Sequence, residues 1–265
     1  PTSTEPAAMG RAARVWAALM VPFWTVLPGM GLIDLQVMFV ENTYYADSVG
    51  LMVSWGVFFT ILLGVPFGWV AARPTQALPV VALIGICVVT ALVGAVLGLQ
   101  WQAAGVALLI AATALPLVPA ARRQLSPTAL RLAVRPNVLA LAAVMTPFAV
   151  TYAADAFSMA RNEPSPEPWK TNGVDHWPFQ GALAIALVAF VVVIGLWPRA
   201  VPVFRAVAAL ALATVALSWA MHPDTVGSVD SPVITGAAVL IAVLVALVRG
   251  PEDGRRYDSR PVESL

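Results

Sequence analysis

The stretch Trp169-Lys170-Thr171-Asn172-Gly173-Val174-Asp175-His176-Trp177-Pro178-Phe179-Gln180 runs straight into 181–197, an apolar segment without a charged residue. That second part decides the fold. A helix needs about 20 apolar residues, at 1.5 Å rise each, to cross hydrocarbon. The first part concentrates chemistry. It holds the only lysine and one of the two histidines, beside an aspartate. A polar knot at the mouth of a spanning helix is where a site is expected.

The rest of the chain extends this reading. Of its 265 residues 60% are hydrophobic and 11% charged, and the mean hydropathy is +0.83. A soluble domain carries about 25% charged residues, enough to cover its surface. This chain is therefore read as a polytopic helical membrane protein, with the lipid bilayer as its first partner. A net charge of +1 gives no electrostatic case for nucleic acid. Cys87 is the sole cysteine, so an internal disulfide is excluded, and its apolar surroundings read as core. Fourteen arginines against one lysine read as a GC-rich bacterial genome, which places the chain in a bacterial cell membrane.

On the 20-residue ruler the fold class is an all-α, eight-transmembrane-helix bundle. The spans are 15–37, 49–71, 78–99, 102–120, 136–157, 175–197, 201–221 and 232–248. The first run is too long for a signal-peptide core and reads as a retained span. Before it lies a cytoplasmic segment, 1–14, and after the bundle, 15–248, a disordered cytoplasmic tail, 249–265. With eight spans, thirteen basic residues fall on one side and only Arg161 and Lys170 on the other. The positive-inside bias then puts both termini in the cytoplasm. Tryptophans mark both edges, with Trp16, Trp69 and Trp197 on the inner side and Trp55, Trp101, Trp177 and Trp219 on the outer. Gly64–Gly68 and Gly94–Gly98 are GxxxG spacings that let helices approach closely.

Acidic residues point to the outer side. Apart from Glu5 and the tail, every carboxylate falls at or beyond that edge. Arg14 to Asp34 and Arg135 to Asp155 are both twenty residues, about 30 Å of helix, so the two aspartates share a depth. A carboxylate inside a spanning helix is costly unless it faces protein, water or a ligand. Tyr152 and Asp155 share a face of one helix, and His176 and Gln180 share a face of the next. These residues define a candidate ligand-binding cup of Asp34, Tyr152, Asp155, Asp175, His176 and Gln180, with Gln36 beside it. In its sharpest form Asp155 pairs with His176 and raises the histidine pKa. The bland readings are a helix cap for Asp175, an interfacial role for His176 and a helix-end role for His222.

No HExxH, GxSxG, Walker A or CxxC motif is present, and no ligand spacing supports a metal. No cofactor is therefore assigned. Two functions compete, beside a third, structural possibility, a scaffold or sensor with the outer loop as partner surface. One is a binding, transport or accessory subunit with an outward polar site for a lipid or small molecule. The other is a membrane enzyme acting on a lipid or lipid-linked substrate at the outer leaflet, with His176 as general acid or base.

Overall fold

A central helix, buried on all sides, carries the architecture. In the computed structural model, which describes residues 5–27, 29–40, 43–162 and 165–250 with side chains from residue 10 onward, the chain is all-helical apart from one small hairpin. The elements run α1 (Glu5–Thr25), α2 (Gly31–Gln36), α3 (Val49–Gly56), a π-helical segment (Val57–Gly64) and α4 (Val65–Ala72). They continue with α5 (Ala77–Leu97), α6 (Trp101–Ala114), α7 (Val118–Arg122) and α8 (Pro136–Asn162). After the hairpin strands β1 (Lys170–Thr171) and β2 (Val174–Asp175) come α9 (Trp177–Leu196), α10 (Val201–Met221) and α11 (Pro232–Ala246).

Among the described residues, six helical stretches are long and apolar enough to cross a membrane: Val49–Ala72, Pro74–Leu97, Trp101–Arg122, Pro136–Asn162, Trp177–Leu196 and Pro198–Met221. In Val49–Ala72, 89% of the apolar window is buried, against 28% in Pro136–Asn162. The former is thus the bundle's axis and the latter a peripheral helix. Large apolar side chains cover the outside, among them Val96, Leu108, Val144 and Val233. A surface of that kind is unfavourable in water and is covered by lipid in a bilayer.

The first expected span, 15–37, differs from a single helix. It stops at Thr25 and restarts at Gly31, with Met30 in the left-handed region at φ 52°. The break needs a donor for its free carbonyls, and the indole Nε1 of Trp55 supplies one, donating to Gly29 O at 2.5 Å. In α2 the apolar Leu32 and Ile33 face outward while Asp34 is buried. That inside-out polarity suits lipid surroundings. At the opposite end of the sequence, α11 has 15 residues and is shorter than any of the six spanning stretches. The sixth span starts at Trp177, leaving Asp175 and His176 outside the helix, while α8 runs on to Asn162. Residues 1–4 and 251–265, together with Pro28, Glu41 and Glu163, lie outside the described residues, and with them most of the expected tail.

Both GxxxG pairs lie at close helix contacts. A methyl group on Gly94 would overlap the Pro178 carbonyl oxygen of α9, and one on Gly98 would lie 3.1 Å from Ala160 Cβ. One on Gly64 would lie 2.6 Å from Thr25 Cγ2. The bundle has two distinct ends. At one, Arg135 donates to Arg249 O, Arg205 to Val248 O and Arg199 to Gln124 Oε1, and Gln124 also bonds Leu78 N and Pro74 O. At the other, His222 bonds Met38 O, Val226 N bonds Asp47 O and Gln100 bonds Ala160 O. The hairpin belongs to this second end.

Gly94 and Gly85 sit on the same helix, but nothing lies within 4 Å of a methyl group at Gly85. Gly85→Ala should leave thermal stability in detergent unchanged or raised by up to about 1 kcal/mol, the helix-propensity gain. Gly94→Ala should lower it by about 1–3 kcal/mol through overpacking against α9. Equal melting temperatures for the two variants would contradict the packing described.

Candidate functional site

Asn172 and Gly173 form the turn of the hairpin, with φ 53° and 76°. Both values fit a two-residue type I′ turn, for which Asn-Gly is a favoured sequence. The strands pair antiparallel, Lys170 with Asp175 and Thr171 with Val174. This geometry lays Thr171 Oγ1 2.9 Å from His176 Nε2. The His176 ring stacks on Trp55 at 4.2 Å between centroids, and His176 N donates to Trp169 O at 3.1 Å. No water reaches the ring, and Nδ1 has no hydrogen-bond partner. Burial drives the imidazole pKa down to about 3, so the expected upward shift by Asp155 does not arise. His176 meets Thr171 and Trp55, while Asp155 is exposed on α8.

Asp175 closes the other side of the hairpin. Its Oδ2 accepts from Ser165 Oγ at 2.6 Å and its Oδ1 from Trp177 N at 3.0 Å, an orphan donor of the α9 terminus. Burial raises its pKa, and the Ser165 hydroxyl and the Trp177 N–H pull it back. Asp175 and His176 thus fasten the hairpin to the bundle. Asp34 lies apart on α2, buried, with Oδ2 unpartnered.

Three of the expected residues do converge: Tyr152, Asp155 and Gln180 line one cup of about 360 Å³ between α8, α9 and the loop at Gly227. Tyr152 Oη donates to Gly227 O at 2.6 Å, and Gln180 Nε2 donates both to that carbonyl, at 2.9 Å, and to the Tyr152 oxygen. Gly227 makes this possible. Its φ is 85°, and a methyl group there would lie 2.5 Å from Leu51 N. Gln180 Oε1 and Trp177 Nε1 are buried without a partner. Phe148 stacks on Tyr152 at 5.7 Å, and Trp177 completes the aromatic wall.

Beside the cup lies a second cavity of about 230 Å³ between α8, α9, α10 and α11. Its wall is apolar, with Met145, Leu187, Leu212, Ile234 and Ala238, and Ser54 and Tyr152 stand among its few polar side chains. Phe148 and Tyr152 line both cavities. An apolar void of about 150 Å³ already takes up benzene, so this one is large enough for part of a hydrocarbon chain.

Sequence reading missed Ser54, Trp219 as a ring neighbour of Tyr152, and the Gly227 loop. One signal was available: a glycine inside the turn-rich 222–231 connection marks a backbone that needs positive φ. No group of three or more His, Cys, Asp or Glu that could hold a metal ion occurs among the described residues. No family model, curated protein or solved structure matches the chain.

The buried histidine has a pH consequence. An unfolded histidine takes its proton near 6.5, the folded one only near 3. Acidification through this window therefore favours the unfolded chain, by up to about 1.4 kcal/mol per pH unit below 6.5. Asp175, with its raised pKa, acts in the opposite sense in both wild type and variant. Between about pH 7 and about pH 5, wild type should lose about 2 kcal/mol more stability than His176→Gln. Parallel pH profiles in a detergent melting assay would contradict burial of a neutral ring.

Proposed function

We propose that this chain crosses a bacterial plasma membrane eight times, with 1–14 and 249–265 in the cytoplasm and the 15–248 bundle between them. In this reading the arginine-rich end faces inward and the hairpin end outward. The outward cup at Tyr152, Asp155 and Gln180 binds the polar head of an amphiphile, and the apolar cavity below it takes part of the chain. One observation carries the assignment. A polar cup and an apolar cleft share Phe148 and Tyr152 as a common wall, which matches a molecule with a polar and an apolar part. The function is then ligand binding, alone or as an accessory subunit of a larger membrane assembly.

Catalysis on a lipid is the weaker reading. His176, the one histidine near the hairpin, is enclosed by Trp55 and Thr171 and does not line the cup. A general acid or base must reach its substrate.

The lipid-binding claim is tested by quantifying lipid that copurifies with the full chain in detergent. Ala184→Phe on α9 and Ala238→Phe on α11 each put a ring into the cleft. Each should reduce retained lipid roughly tenfold, the equivalent of about two lost methylene contacts. Retention unchanged in both would sink the proposal. Orientation is tested separately. Cys87 is fully buried, so a membrane-impermeant maleimide should leave the wild type unlabelled in intact cells. Glu167→Cys should label from outside and Arg131→Cys should not, and the reverse pattern would invert the topology.

A further inference from the structure

The cup has a chemical bias. Asp155 contributes a carboxylate at its rim, and none of the described residues lining it is basic. Phe148, Tyr152 and Trp177 supply aromatic walls around the same space. A carboxylate beside several aromatic faces is complementary to an ammonium group, which both the negative ring faces and the carboxylate attract. The same site disfavours an anionic group, since no basic residue stands beside Asp155 among the described residues that line it. Gly227 O, already held by Tyr152 and Gln180, adds an oriented carbonyl dipole to the wall. The basic residues at this end, Arg161 and Lys170, line a different cavity with Ser165 and Asp175.

We infer that the cup selects amphiphiles whose head carries an ammonium group over those with a purely anionic or neutral head. This inference rests on the amphiphile reading above. The aromatic residues surround the ammonium, Asp155 neutralises it at the rim, and the chain passes Phe148 and Tyr152 into the cleft. Trp177 Nε1 and Gln180 Oε1, buried and unpartnered, stand in the same wall as a donor and an acceptor for neighbouring polar atoms of the head.

The test uses the full chain in detergent, equilibrated with equimolar phosphatidylethanolamine and phosphatidylglycerol of identical acyl chains. Bound lipids are then counted by native mass spectrometry. Wild type should retain the ethanolamine lipid about fivefold over the glycerol lipid, the scale of a single partly solvated cation contact. Asp155→Asn should abolish the preference by lowering retention of the ethanolamine lipid to that of the glycerol lipid, and Asp155→Glu should keep it. Because Asp155 is exposed, these variants are expected to fold. Equal retention of both lipids by wild type, with total lipid still lowered by Ala184→Phe, overturns the ammonium inference and leaves the cleft reading standing. Total lipid insensitive to both cleft-filling variants overturns the reading on which it rests.

Discussion

Trp55 ties together three parts of the bundle that would otherwise separate. Its N–H satisfies Gly29 O at the break of the first helical segment. Its ring stacks on His176 and touches Phe59 and Phe179. In hydrocarbon an unsatisfied carbonyl costs several kcal/mol, so a break in a spanning segment survives only where protein answers it. The answer comes from a helix buried on every side, and the same indole supports the hairpin. The broken first segment, the central helix and the outer loop are therefore one packing problem with one aromatic at its centre.

From that centre the site follows in steps. The hairpin docks through His176 and Asp175, which orients the start of α9 and with it Gln180 and Trp177. The Gly227 loop closes over α3, where Leu51 N bonds Val226 O and Gly50 N bonds Thr225. Tyr152 reaches across from α8 to the same loop. The polar cup is thus built by helix ends and a glycine turn, while the cleft beneath it is built by helix faces. Two kinds of structure that rarely serve one purpose meet at Phe148 and Tyr152.

Much of the fold was legible because hydrocarbon imposes length. The six long apolar helices match expected spans to within a few residues at most ends, and the arginines cluster at one end of the bundle. What was not legible depends on tertiary partners. Nothing in 15–37 announces that Trp55 will answer a break at Gly29. The site shows the same division. Tyr152, Asp155 and Gln180 converge because helix spacing places the first two on one face and consecutive helices pack side by side. Asp34 and Asp175 join them in the sequence by depth, which says nothing about azimuth around the bundle, and His176 joins also by its i, i+4 spacing to Gln180, which fails because α9 begins only at Trp177. Asn172-Gly173 was readable as a hairpin turn, and once it is read so His176 falls beside Thr171 and away from α8.

The π-helical segment 57–64 has a bearing on how tolerant this bundle is to change in chain length. Its wider turns hold more residues than α-helical ones, so the two halves of the central helix are out of phase with each other. Relaxing the segment to an α-helix with all its residues kept would rotate α3 against α4 by about 100°. Ser54 and Trp55 would swing out of their present sector, taking with them the support of the break and of the hairpin. The π turns act as a phase shim: they absorb one extra residue between Gly56 and Val65, so α3 and α4 hold the relative phase of a helix one residue shorter.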